Sequence, residues 1–84
     1  MTSEADSNGV SPRVTIDARG KACPLPIVET AKALKSHPRI ELWATDPATE
    51  ADLRAFCEAT GHRLEKTWRS GSESPVFKAW VNRR

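Results

Sequence analysis

Cysteine is scarce in this chain: two among 84 residues, Cys23 and Cys57. That is too few for the disulfide framework of small secreted domains. The pair is also far from a Cys-x-x-Cys spacing, so thiol–disulfide redox work is not expected. No apolar run is long enough for a signal peptide or a membrane-spanning helix, which makes the cytoplasm the expected location and a membrane partner not expected. Glycine-rich phosphate loops, Ser-His-Asp arrangements and internal repeats are missing too. The two histidines, His37 and His62, lie 14 residues after Cys23 and five after Cys57. Neither spacing has the close ligand pairs of a structural zinc site, so no metal and no cofactor are expected. Neither histidine is placed beside Cys23, as a cysteine-protease-like pair would require. Excess charge is small as well. The net charge is +2, with −1 on residues 1–13 (Glu4, Asp6, Arg13) and +3 on the rest. That suits an acidic protein partner or weak RNA contact, but so mild a basicity does not lead one to expect a direct nucleic-acid binder.

What is present divides cleanly. Residues 1–13 are polar and without periodicity, and read as a disordered tail ahead of one domain over 14–84. A strand is predicted at 14–17, followed by a turn at Ala18-Arg19-Gly20 and a helix at 24–36 with apolar residues at 27, 28, 31 and 34. A second strand at 40–45 alternates Ile40, Leu42, Ala44 against Glu41, Trp43, Thr45. Asp46-Pro47-Ala48-Thr49 opens a second helix, with Thr49 and Asp52 spaced like a capping box and Gly61 closing it. Strands at 63–69 and 75–82 flank a hairpin loop at 70–74. The order β-α-β-α-β-β in so short a chain predicts an α+β, two-layer sandwich, with two helices on one face of a four-stranded mixed sheet. The other face would carry Trp43 and Trp80. Trp68 shares the parity of Leu64 and is expected on the buried side.

Cys23 is the residue of chemical interest. It is placed at the N-cap of the first helix, with Pro24 at the first helical position and Pro26 inside the first turn, where missing N–H groups break no intrahelical bond. The N–H groups of Leu25 and Ile27 and the positive end of the helix dipole are expected to favour its thiolate, the reactive form. Arg19 and Lys21 add positive charge close by. The alternative is that Cys23 is a small packed apolar group. Cys57 falls with Leu53 and Phe56 on a helical stripe, which predicts a buried, inert thiol.

The stretch Asp17-Ala18-Arg19-Gly20-Lys21-Ala22-Cys23-Pro24-Leu25-Pro26 resembles the signature of the TusA/SirA-like sulfur-carrier proteins, a Cys-Pro-x-Pro at a helix start after Asp-x-Arg-Gly. The likeness continues through Ala44-Thr45-Asp46-Pro47, then Asp52, Leu53, Phe56 and Cys57, then Gly61-His62, over roughly residues 14–82. It implies a fold similar to the C-terminal domain of bacterial translation initiation factor 3. It also implies a persulfide carried on Cys23, received from a cysteine desulfurase or another sulfurtransferase and passed to an acceptor protein. The uses implied are tRNA thiolation, cofactor biosynthesis or sulfur oxidation. On this view Arg19, Lys21, Pro24, Leu25 and Pro26 support the thiolate or the docking of partners. The competing expectation is a non-catalytic module that binds RNA or a regulatory protein.

Overall fold

Alternation in the strands builds the sheet. In the computed structural model, which describes residues 13–84, the elements are β1 (Val14–Ala18), α1 (Leu25–Ser36), β2 (Arg39–Ala44), α2 (Thr49–Thr60), β3 (Arg63–Ser70) and β4 (Val76–Asn82). The tail expected over 1–13 lies, Arg13 apart, outside the described residues. Strand order is β1-β2-β4-β3. β1 runs parallel to β2, and β4 runs antiparallel to both β2 and β3. β2 and β3 therefore point the same way with β4 between them, as a helical crossover requires.

One face of the sheet presents Ile40, Leu42 and Ala44 from β2 and Phe77, Ala79 and Val81 from β4, all buried. Leu34 of α1 and Leu53 and Cys57 of α2 close over them. Both helices thus pack on one face, giving the two-layer α+β sandwich. Each fully buried leucine or isoleucine contributes about 1.5–3 kcal/mol by leaving water. α1 stops at His37, whose N–H reaches the Ala33 carbonyl at 2.8 Å, because Pro38 cannot continue it. Arg83 then covers that helix end, donating from Nη1 to the Leu34 and Lys35 carbonyls at 3.1 and 3.3 Å. α2 ends at Gly61, whose φ of 83° is left-handed and whose N–H meets the Cys57 carbonyl at 2.8 Å.

The outer face differs from expectation in one strand. Trp43 and Trp80 lie on it, but Trp68 does too, its ring edge-on to Trp80 at 5.6 Å between centroids. The cause is a register shift between Leu64 and Lys66: Leu64 pairs with Val81 on the core side, whereas Lys66 pairs with Trp80. Glu65 is the extra residue of a bulge, so parity counted from Leu64 fails beyond it. Nor is the face a bare aromatic patch. Glu41 accepts hydrogen bonds from Trp43 Nε1 at 2.6 Å and Trp80 Nε1 at 2.9 Å. Arg13 and Lys66 lie over Trp80, and Lys78 over Trp43, at 4.4 to 5.0 Å from the ring centroids.

Candidate functional site

The parallel pairing of β1 and β2 brings their C-terminal ends together, and the two loops that leave them form the site. Asp17 at the end of β1 accepts the Arg19 backbone N–H at 3.2 Å and turns the chain. The Gly20 N–H, in a residue with φ of 80°, donates to Thr45 Oγ1 in the opposite loop at 2.8 Å. Asp46 joins the loops more firmly: one carboxylate oxygen accepts the Cys23 N–H at 3.1 Å and the other the Ala48 N–H at 2.8 Å. These donors hold its carboxyl below the usual aspartate range.

Cys23 is half-buried at the mouth of this junction and, like Cys57, is a free thiol. Its position is shifted by one residue from the expected cap. The N-cap is Pro24, helix α1 begins at Leu25, and Pro26 occupies the second helical position, buried. The N–H groups expected to face the sulfur are engaged elsewhere, Leu25 with the Ala22 carbonyl and Ile27 with the Pro24 carbonyl, both at 3.0 Å. The sulfur instead meets the second helix, with Sγ 3.4 Å from Thr49 Oγ1. The thiol pKa is pushed up rather than down. Burial leads, the Thr49 hydroxyl opposes it, and the nearby carboxylates of Asp52 and Asp46 reinforce it. These surroundings favour the thiol over the dipole-stabilised thiolate expected from the sequence.

The two cations expected to help the thiolate are bound to carboxylates. Arg19 makes a two-point contact with Asp17, at 2.8 Å from Nε and 2.7 Å from Nη2, with its guanidinium 5.1 Å from the Trp43 ring. That pairing, the Arg19 hydrogen bonds foremost, lowers the Asp17 carboxyl to about 2. Lys21 is paired with Glu29 on α1. Pro24 and Leu25 are exposed beside the sulfur, and the side chains of Leu25 and Val28 are the large apolar groups most open to solvent among the described residues, at 50% and 41%.

Thr49 is the site residue that sequence reasoning missed. Its place in Asp46-Pro47-Ala48-Thr49 suggested a helix cap, but the cap is Ala48 and no side chain completes a capping box. Thr49 is fully buried in the first turn, with its N–H on the Asp46 carbonyl at 3.1 Å. Its contact with Cys23 crosses 26 residues and has no local signature. Cys57 behaves as expected, at 5% exposure in the core with its thiol pushed up by burial. His62 packs on Phe56 and accepts the Arg84 N–H at Nδ1, well away from Cys23. Among the described residues no group of three or more His, Cys, Asp or Glu side chains is arranged to hold a metal ion.

Comparison with known proteins bears on the family and the fold. The family described as sulfurtransferase TusA matches residues 14–82. The chain is 43% identical over 61 residues to a proposed sulfur carrier protein of Bacillus subtilis, YrkF, covering 69% of this chain and 33% of YrkF. It is 40% identical over 72 residues to a second one, YrkI of the same organism, covering 81% of this chain and 91% of YrkI. It thus spans a third of one relative and nearly all of the other. The crystal structure of a SirA-like protein from Desulfitobacterium hafniense superposes with a TM-score of 0.66, covering 82% of this chain and 95% of that one. At 22% identity that likeness is one of fold.

Proposed function

The chain belongs to the sulfurtransferase TusA family, and on that footing we propose that it is a sulfur carrier whose working atom is Cys23 Sγ. The observation that supports this most is the contrast between its two thiols: Cys23 opens to solvent at a loop junction held from both sides, while Cys57 is buried in the core. A sulfur that must be reached by two partners in turn needs such a rim position. The absence of a second thiol in reach favours a persulfide over an internal disulfide.

In the proposed cycle the Cys23 thiol first loses its proton. The thiolate attacks the outer sulfur of a persulfide on the donor, a cysteine desulfurase or another sulfurtransferase. A bond forms between Cys23 Sγ and that outer sulfur as the donor's own S–S bond breaks, and the donor departs as a thiolate. Charge and sulfur oxidation level are conserved, so no external oxidant or reductant is required. The second transfer repeats the exchange toward the acceptor protein, feeding tRNA thiolation, cofactor biosynthesis or sulfur oxidation. Exposed Leu25 and Pro24 border the path to the sulfur. Residues 14–84 act as one domain in the cytoplasm, with Arg13 docked on its sheet; no helix among the described residues is long and apolar enough to cross a membrane.

The test is intact-protein mass spectrometry after incubation with a cysteine desulfurase and cysteine, or with thiosulfate and a sulfurtransferase. Wild type and Cys57→Ser are expected to gain one sulfur and Cys23→Ser none. A full gain by Cys23→Ser overturns the proposal. A second reading, a binding module for RNA or a protein, draws on the cations over the outer-face tryptophans. It predicts that Cys23→Ser keeps full binding and that affinity for RNA falls steeply with salt.

A further inference from the structure

Thr49 has no exposed surface, yet it carries a hydroxyl at a position where valine would fill the same volume. Burying a hydroxyl is unfavourable unless it is hydrogen-bonded, and the partner in place is Cys23 Sγ at 3.4 Å, with either atom able to donate. The separation is set from both ends. Thr49 is β-branched and therefore stiff about χ1, and its backbone is tied to the Asp46 carbonyl at 3.1 Å. The Cys23 backbone is tied to the carboxylate of that same Asp46.

The other groups facing the sulfur act in the opposite sense. Asp52, one turn along α2, and Asp46, in the loop before it, are both carboxylates that favour the protonated thiol. Arg19 and Lys21 of the β1–α1 loop are paired with Asp17 and Glu29. The Thr49 hydroxyl is the side-chain group in hydrogen-bond contact with the sulfur, and it favours the anion. While the thiol is protonated, its S–H can be given to Thr49 Oγ1. Once the proton has left to solvent, the Thr49 O–H becomes the donor.

We propose that Thr49 is a positioning residue, donating its hydroxyl hydrogen to the Cys23 sulfur anion and holding Sγ on its α2 side so that the opposite side stays open to the incoming sulfur. The assignment of its purpose rests on the sulfur-carrier reading; the contact itself does not. Two measurements on one set of variants keep these apart. The first is the pH dependence of Cys23 alkylation by iodoacetamide, followed by peptide mapping, in wild type, Thr49→Val and Thr49→Ser. Thr49→Val is expected to move the midpoint upward and slow alkylation at neutral pH roughly tenfold, the scale of one lost hydrogen bond to a charged sulfur. Thr49→Ser is expected to restore both. The second is sulfur loading from a persulfide donor, read as the rate of one-sulfur mass gain, which should fall with Thr49→Val and recover with Thr49→Ser.

A purely structural role would lower the melting temperature of Thr49→Val and leave the alkylation midpoint in place; that result overturns the proposal. If the valine variant fails to fold, Thr49→Ala is used, and the same midpoint decides. If wild type itself takes up no sulfur, the carrier reading fails. The midpoint shift then still establishes or removes the Thr49–sulfur contact.

Discussion

Replacing Glu41 with glutamine should destabilise the fold through two tryptophans at once. Glu41 sits on the outer face of β2, and its two carboxylate oxygens accept the indole N–H groups of Trp43 and Trp80 at 2.6 and 2.9 Å. An amide keeps one acceptor oxygen and presents an NH2 to the other indole, so one of the two bonds is lost. A hydrogen bond to a charged group contributes about 1.5–3 kcal/mol when buried, and partial exposure on this face brings the expected loss to about 1–2 kcal/mol. In a domain of this size that corresponds to a drop in melting temperature of roughly 5–15 °C. The pH dependence gives a second check. Burial alone would raise the Glu41 pKa, but the two indole donors and the charges of Lys78 and Arg13 outweigh it and hold the carboxyl below its ordinary 4.5. A depressed carboxyl contributes stability that is present above its ordinary range and is lost as pH falls through its folded value. Protonated Glu41 resembles glutamine, so the gap between wild type and Glu41→Gln should be full at about pH 7 and shrink toward about pH 3. Thermal melts by circular dichroism at both pH values measure it. Equal melting temperatures at neutral pH, or a gap that persists unchanged in acid, would refute the reasoning.

Two further predictions concern the bulge and the thiol. Deleting Glu65 removes the extra residue between Leu64 and Lys66 and leaves those two as consecutive partners of Val81 and Trp80, so every β3 side chain keeps its face, whereas inserting one alanine between Lys66 and Thr67 sends the residues beyond it to the wrong face. The deletion should keep cooperative melting and the insertion should abolish it; loss of cooperative melting on deletion, or its survival on insertion, would contradict the assignment. Asp46→Asn removes a negative charge that raises the Cys23 thiol. Its alkylation midpoint should therefore fall, and an upward movement in the iodoacetamide pH profile would show that loosening of the loop dominates instead.

Much of this fold was legible because its strands obey period two. Ile40, Leu42 and Ala44, and Phe77, Ala79 and Val81, occupy the face that alternation predicts, and Gly61 closes α2 where its conformational freedom is needed. The errors fall where a local rule is overridden by one residue or by a distant partner. Trp68 changes face because a single inserted residue, Glu65, breaks a parity that nothing in the sequence flags. Cys23 was placed at the cap because Pro24 suits the first helical position; the helix begins one residue later, and that shift leaves the nearby N–H groups bonded to Ala22 and Pro24. The sulfur's surroundings were the least legible part. They depend on Thr49, Asp46 and Asp52, which reach Cys23 only because β1 and β2 pair in parallel and end side by side.

The burial of Cys57 sets how such a carrier would keep count. With one reachable thiol, each molecule delivers a single sulfur atom per visit, so an acceptor that needs two must be visited twice. Flux along the relay then scales with the number of carrier molecules and the speed of their exchange between partners, not with any store held inside one of them. The same arrangement leaves an emptied carrier without an intramolecular disulfide to fall into. In the proposed cycle it would return to its donor as a free thiol, and one oxidised dead end would be a covalent pair of two copies joined through Cys23.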